Sequence, residues 1–111
     1  MVKRFWVGLV LGLYLLLGWP GGAIAADLDQ GKQVFEQTCA GCHIKGGNIV
    51  RRRQTLKMKA LQRNHRDSEA AIAEIVTHGK GIMSAYGDRL TPEEIQAVSA
   101  YVLQRAVEDW R

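Results

Sequence analysis

The residues best able to do chemistry stand together at Cys39-Ala40-Gly41-Cys42-His43. Two thiols three positions apart can add to the two vinyl groups of a porphyrin, and an imidazole directly after the second thiol can reach the metal at the ring's centre. Ala40 and Gly41 are small enough to let the ring edge approach the backbone. The pattern predicts one covalently attached haem c, with thioethers from Cys39 and Cys42 and an axial nitrogen from His43. Three other chemistries compete for the same residues. A zinc site needs a fourth donor, which only His65 or His78 could supply among the histidines. A thioredoxin-like redox pair needs a strand before it, and no alternating apolar run precedes Cys39. A plain disulfide leaves His43 unexplained.

One histidine occupies one axial position, so function turns on what meets the other. Met83 is the expected second ligand: it lies in a glycine-bearing stretch, far enough along the chain to come round the ring. A thioether there completes a six-coordinate iron with no open position for oxygen or peroxide. Met58, within Lys57-Met58-Lys59, reads as a helix packing residue. His65 and His78 are the other competitors, and a vacant position is the remaining alternative.

The elements that must position these groups read as short helices. Asp27 or Asp29 is expected to cap a first helix carrying Leu28, Val34 and Phe35 on one face and running into the cysteine motif. Gly46-Gly47-Asn48 signals a turn, followed by the basic run Arg51-Arg52-Arg53. A short helix is expected over residues 55–62. Asp67 or Ser68 opens another, with Ile72, Ile75 and Val76 on one face and Gly79 as its stop. Residues 79–90 form a loop. Thr91-Pro92-Glu93-Glu94 is a capping box with a first-turn proline, and Ile95, Val98, Tyr101 and Val102 follow at helical spacing. The expected fold is all-α, about four short helices around one haem, with the last helix packed on the first.

The chain has 111 residues, of which the first 25 read as a cleaved signal peptide. Lys3 and Arg4 start it, an uncharged Leu-rich run follows, and Pro20, Gly21 and Gly22 precede an Ala-x-Ala site ending at Ala25. An uncleaved anchor is the alternative, although the apolar core is shorter than about 20 residues. Removing Lys3 and Arg4 lowers the formal charge from +4 to +2, with thirteen bases facing eleven acids. A chain so near neutrality is no nucleic-acid binder by charge. Both cysteines lie in the motif, so residues 26–111 form one small domain without a disulfide framework. A buried haem would staple such a domain.

With motif, methionine loop and helix order in place, residues 26–110 resemble cytochrome c6, the small photosynthetic class I c-type cytochrome. The matching pieces include Ala26-Asp27-Leu28, Val34-Phe35, Thr55-Leu56, Gly79-Lys80, Gly87-Asp88-Arg89-Leu90 and Tyr101-Val102. The resemblance implies a soluble, monomeric one-electron carrier in the thylakoid lumen or periplasm. It implies a cytochrome b6f complex as donor and photosystem I or a terminal oxidase as acceptor. It also makes His43 and Met83 the axial ligands, and aligns Arg89 with a docking arginine.

Three departures stand out. Met83-Ser84-Ala85-Tyr86 replaces the usual Met-Pro-Ala-aromatic, removing a proline's backbone restriction. Ile75 stands where the family usually has a glutamine, which resembles lower-potential branches of the family and makes Ile75 a candidate for tuning potential. Arg51-Arg52-Arg53 is absent from the usual pattern and is either a solvated face or a patch that steers an acidic partner. The reading is a carrier and no enzyme, with a specialised carrier serving a different acceptor as one alternative and a haem sensor whose Met83 dissociates as the rival. A peroxidase is disfavoured, since only one haem motif is present.

Overall fold

The computed structural model describes residues 21–111, with side chains from Asp27 onward; residues 1–20, which hold most of the expected leader, lie outside the described residues. Helix α1, Gly21–Val34, leads without a break into a π-helical turn, Phe35–Cys39. A 3-10 turn, Ile44–Gly46, follows, and then three helices: α2, Met58–Arg63; α3, Glu69–His78; and α4, Pro92–Val107. No strand occurs among the described residues, only an isolated antiparallel bridge between Lys80 and Met83.

Local chemistry sets both ends of α3 and the start of α4 as the sequence leads one to expect. The Ser68 hydroxyl accepts from the Ala71 N–H at 3.1 Å at the start of α3. Gly79 stops the same helix with φ +69°. At α4 the Thr91 hydroxyl accepts from Glu94 N, and Glu94 returns its carboxylate to Thr91 N, so two free N–H groups are satisfied. The second helix is displaced from its expected place: Thr55 and Leu56 lie before it and it starts at Met58.

The first helix needs a larger correction. Asp27 and Asp29 do not cap α1; both lie inside it, because the helix starts upstream at Gly21. The alanines at 23, 25 and 26 carry the helix through this region, since alanine costs least in a helix interior. In a chain beginning at Ala26, Asp27 would again stand in the first turn.

Helices α1 and α4 pack against each other, as the terminal stripe implies. Their approach is close at Gly31, where a Cβ would run into the Ala97 carbonyl. Helix α3 packs on the same α4. The core joins Val34 and Phe35 of the first helical run to Leu61 of α2, Ile72 and Val76 of α3, and Ile95, Val98 and Val102 of α4. Ser99, fully buried, satisfies its hydroxyl on the Ile95 carbonyl at 2.7 Å. These elements leave an apolar hollow between the cysteine motif and the loop after α3.

Candidate functional site: a haem crevice

The π-helical turn brings the motif into place. Ala40 N–H reaches back five residues to the Phe35 carbonyl at 2.9 Å, and the N–H groups of Cys42 and His43 both donate to the Cys39 carbonyl. One extra residue in the turn changes the direction in which the motif's side chains leave the helix. Phe35, just before it, is buried and anchors the turn in the core. Cys39 is half-buried and Cys42 exposed. Burial, reinforced by the nearby Cys42 thiol, pushes Cys39 up from 9.0 to about 11.

The orientation of His43 follows from a single hydrogen bond. Its Nδ1 lies 2.8 Å from the Gly47 carbonyl oxygen. That oxygen can only accept, so Nδ1 carries the hydrogen and, in the neutral ring, Nε2 carries the free lone pair. This is the tautomer a metal ligand requires. The turn that presents Gly47 is tight: Lys45 and Gly46 take φ +52° and +78° in succession.

Met83 comes from the loop after α3. Lys80 and Met83 exchange both backbone hydrogen bonds at 3.0 Å, while Tyr86 N–H and Gly87 N–H lie back on the Val76 and Thr77 carbonyls. A Cβ at Gly79 would stand 2.6 Å from the Met83 carbonyl oxygen, and Gly79 also needs its positive φ. Glycine is required there on both counts.

Cys39, His43 and Met83 line one cavity of about 280 Å³. Its remaining apolar wall is built chiefly from Phe35, Leu61, Ile72, Ile75, Val76 and Val98, and Asn48, Gln54, Asn64 and Arg66 give it a polar edge. This donor set fits a covalently held haem: an apolar slot for the macrocycle, polar groups for its carboxylates, and a nitrogen and a thioether donor on its lining. Cys42 does not line the cavity; it is exposed beside it. Met58, His65 and His78 are not in the lining, and Met58 packs against the core.

The other expected residues separate. Ile75 is half-buried and lines the cavity, as its place in α3 suggested. The arginine run does not act as a block. Arg51 lines the cavity and its Nη2 approaches Gly81 in the methionine loop, 3.8 Å from where a Cβ would stand. Arg52 is exposed, and Arg53 uses its carbonyl to accept from Arg63 and Asn64, both at 3.2 Å. Arg89 is exposed, its guanidinium 5.3 Å from the Tyr86 ring centre, beside the methionine loop and off the cavity wall. Sequence reasoning missed Asn48 as more than a turn residue. Its side-chain oxygen accepts from the N–H groups of Val50 and Arg51, and its Nδ2 donates to the Gln54 carbonyl, so it shapes the whole loop along the polar edge.

Residues 26–102 match the family model described as cytochrome C oxidase, cbb3-type, subunit III. Over the whole of both chains the sequence is 48% identical to a cytochrome c6-like protein of Nostoc sp.. It is 46% identical to cytochrome c6 of Thermosynechococcus vestitus, over 99% of this chain and 98% of that one. The crystal structure of cytochrome c6C from Synechococcus sp. matches with a TM-score of 0.72 and 62% identity, covering 73% of this chain and 99% of that one. Cytochrome c6 from the diatom Phaeodactylum tricornutum matches with a TM-score of 0.73 and 40% identity, over 75% of this chain and 98% of that one. The all-helical crevice and these relatives lead to one conclusion: the chain belongs to the cytochrome c6 family, electron carriers of the class I c-type cytochrome fold that hold one covalently bound haem.

Proposed function

We propose that His43 and Met83 are the axial ligands, that Cys39 and Cys42 are the thioether attachment points, and that the protein is a specialised, exported electron carrier and no enzyme. The observation that supports this most is that His43 and Met83, forty residues apart in sequence, line the same apolar cavity. When bound, the haem supplies an iron that cycles between ferric and ferrous states. The chain's own residues do the rest. Gly47 fixes the His43 tautomer, the Lys80–Met83 pairing holds the thioether loop, and Phe35, Leu61, Val76 and Val98 keep water from the slot.

The protein works as a monomer after residues 1–25 are removed, in a thylakoid lumen or periplasm. No helix among the described residues is long and apolar enough to cross a membrane. Its proposed donor is a cytochrome b6f complex and its proposed acceptor photosystem I, a terminal oxidase or a more specialised partner, as the resemblance to cytochrome c6 implies. Exposed Arg52, Arg53 and Arg89, with Arg51 at the crevice, are the cationic groups that would steer an acidic partner. Specialisation is supported by Ile75 in the cavity wall and by the likeness to cytochrome c6C.

A redox titration of the holoprotein and its Ile75→Gln variant tests the specialised reading. The expected result is a wild-type potential below that of standard cytochrome c6, with the glutamine variant moving toward it; the sign follows the family resemblance. A wild-type potential equal to the standard carrier, unmoved by Ile75→Gln, would return the protein to ordinary shuttling.

A further inference from the structure

The last aromatic residue of the chain closes on the turn that orients the histidine. Trp110 lies 67 residues beyond His43, past the end of α4, yet its indole packs so tightly on Gly46 that a Cβ there would collide with ring atoms Cδ2, Cε2 and Nε1. Its Nε1–H donates to the Leu56 carbonyl at 3.0 Å, and Leu56 N–H in turn donates to the Gly46 carbonyl at 2.8 Å. The next residue, Gly47, is the acceptor for His43 Nδ1. Trp110 is itself held in place. Its ring centre lies 5.2 Å from Phe35 and meets Tyr101 edge-on at 6.3 Å, with the Arg105 guanidinium 5.9 Å away.

The turn needs such support. Lys45 sits at φ +52° without glycine's freedom, a strained conformation that persists only where its surroundings impose it. The backbone bonds within the turn run from Gly46 N to His43 O and from Gly47 N to Ile44 O.

We propose that Trp110 is a positioning residue for His43, a C-terminal latch that fixes the Gly47 carbonyl against Nδ1–H and thereby sets how strongly the imidazole donates to the iron. This rests on the reading of His43 as an axial ligand. A firm Nδ1–H···O bond makes the imidazole a better donor and favours the ferric state. Loosening it favours the ferrous state. A latch with only a packing role acts in the opposite direction, because water admitted to the crevice favours the more highly charged ferric form.

The test compares ferrous and ferric holoprotein for wild type, Trp110→Phe and Trp110→Ala. Trp110→Phe keeps an aromatic ring against Gly46 and deletes the Nε1–H bond to Leu56, so it decides the question if the alanine variant does not fold. The expected results are a potential that rises from wild type to phenylalanine to alanine, and exchange of the His43 Nδ1–H with solvent accelerated roughly tenfold in the alanine variant. A potential that stays put or falls in both variants overturns the latch. The ligand assignment has a separate readout: wild-type His43 ring protons lacking the large haem ring-current displacement in the ferrous protein would remove His43 as ligand, whatever the Trp110 variants do.

Discussion

The two sides of the crevice are built in different ways. On the His43 side, the chain from Phe35 to Ile49 makes a dense local ladder, with Ala40 bonded to Phe35, Cys42 and His43 to Cys39, Gly46 to His43, Gly47 to Ile44 and Ile49 to Cys42. On the Met83 side, residues 79–90 carry as many backbone bonds, but some reach further along the chain: Gly79 bonds back to Ile75, Lys80 and Met83 pair, Tyr86 and Gly87 reach ten residues back to Val76 and Thr77, and a turn closes residues 86–90. Neither Ser84 nor Ala85 uses its N–H in a backbone hydrogen bond. The histidine side is therefore encoded by short-range chemistry, whereas the methionine side depends on glycine conformations and on how a loop lies against a helix.

Alkylation of the haem-free chain sharpens this comparison most. If the cysteine turn is preformed without haem, half-buried Cys39, raised to about 11, exposes about a hundredfold less thiolate near pH 8 than an unperturbed thiol, while exposed Cys42 reacts freely. The selectivity should vanish in denaturant. The sign for stability follows: the folded state holds the Cys39 proton more tightly than the unfolded state, so this contribution is complete below pH 9.0 and is lost as pH rises toward about 11. Equal alkylation of both thiols in native buffer would mean that the histidine side is shaped by the haem and not by its own ladder.

Gly79→Ala attacks the methionine side. A positive φ and a Cβ placed 2.6 Å from the Met83 carbonyl oxygen together should destabilise the holoprotein by about 1–3 kcal/mol and loosen the thioether. A denaturation midpoint with the ferric absorption spectrum measures both effects, and an unchanged pair would show that the loop tolerates a shift.

Ser84→Pro should act in the other direction and more weakly. Since the Ser84 N–H makes no backbone bond, proline removes none and stiffens the unfolded chain, for a gain of about 0.4–1 kcal/mol. Carbon monoxide binding to the ferrous protein, which waits for Met83 to leave, should slow. Faster binding would show that Ser84 already has the better backbone for holding Met83.

The same contrast explains what could be read from the sequence. The Cys39–His43 pattern, the Thr91 capping box and the stop at Gly79 are short-range signals and were legible. So was the pairing of the terminal helices, from the stripe of Ile95, Val98 and Val102. The start of α1 was misread because helix-compatible alanines lie between the supposed breakers and Asp27. The π turn at Phe35 leaves no compositional mark, since one extra residue in a turn changes hydrogen bonding and not residue type. Trp110 escaped notice because its partners, Gly46 and Leu56, are distant in sequence and a lone aromatic after a polar helix end carries no periodicity. Arg51 parted from its two neighbours for a similar reason: only the fold of the Asn48 loop turns one arginine to the cavity.

The proposed ligation of the iron by Met83, opposite His43, is tested most directly by the ferric absorption spectrum of three holoproteins. Wild type and Met58→Ala should both show the weak sulfur-to-iron charge-transfer band in the far red, and Met83→Ala should lack it. A band that survives Met83→Ala, or is absent from the wild type, would contradict the ligand assignment.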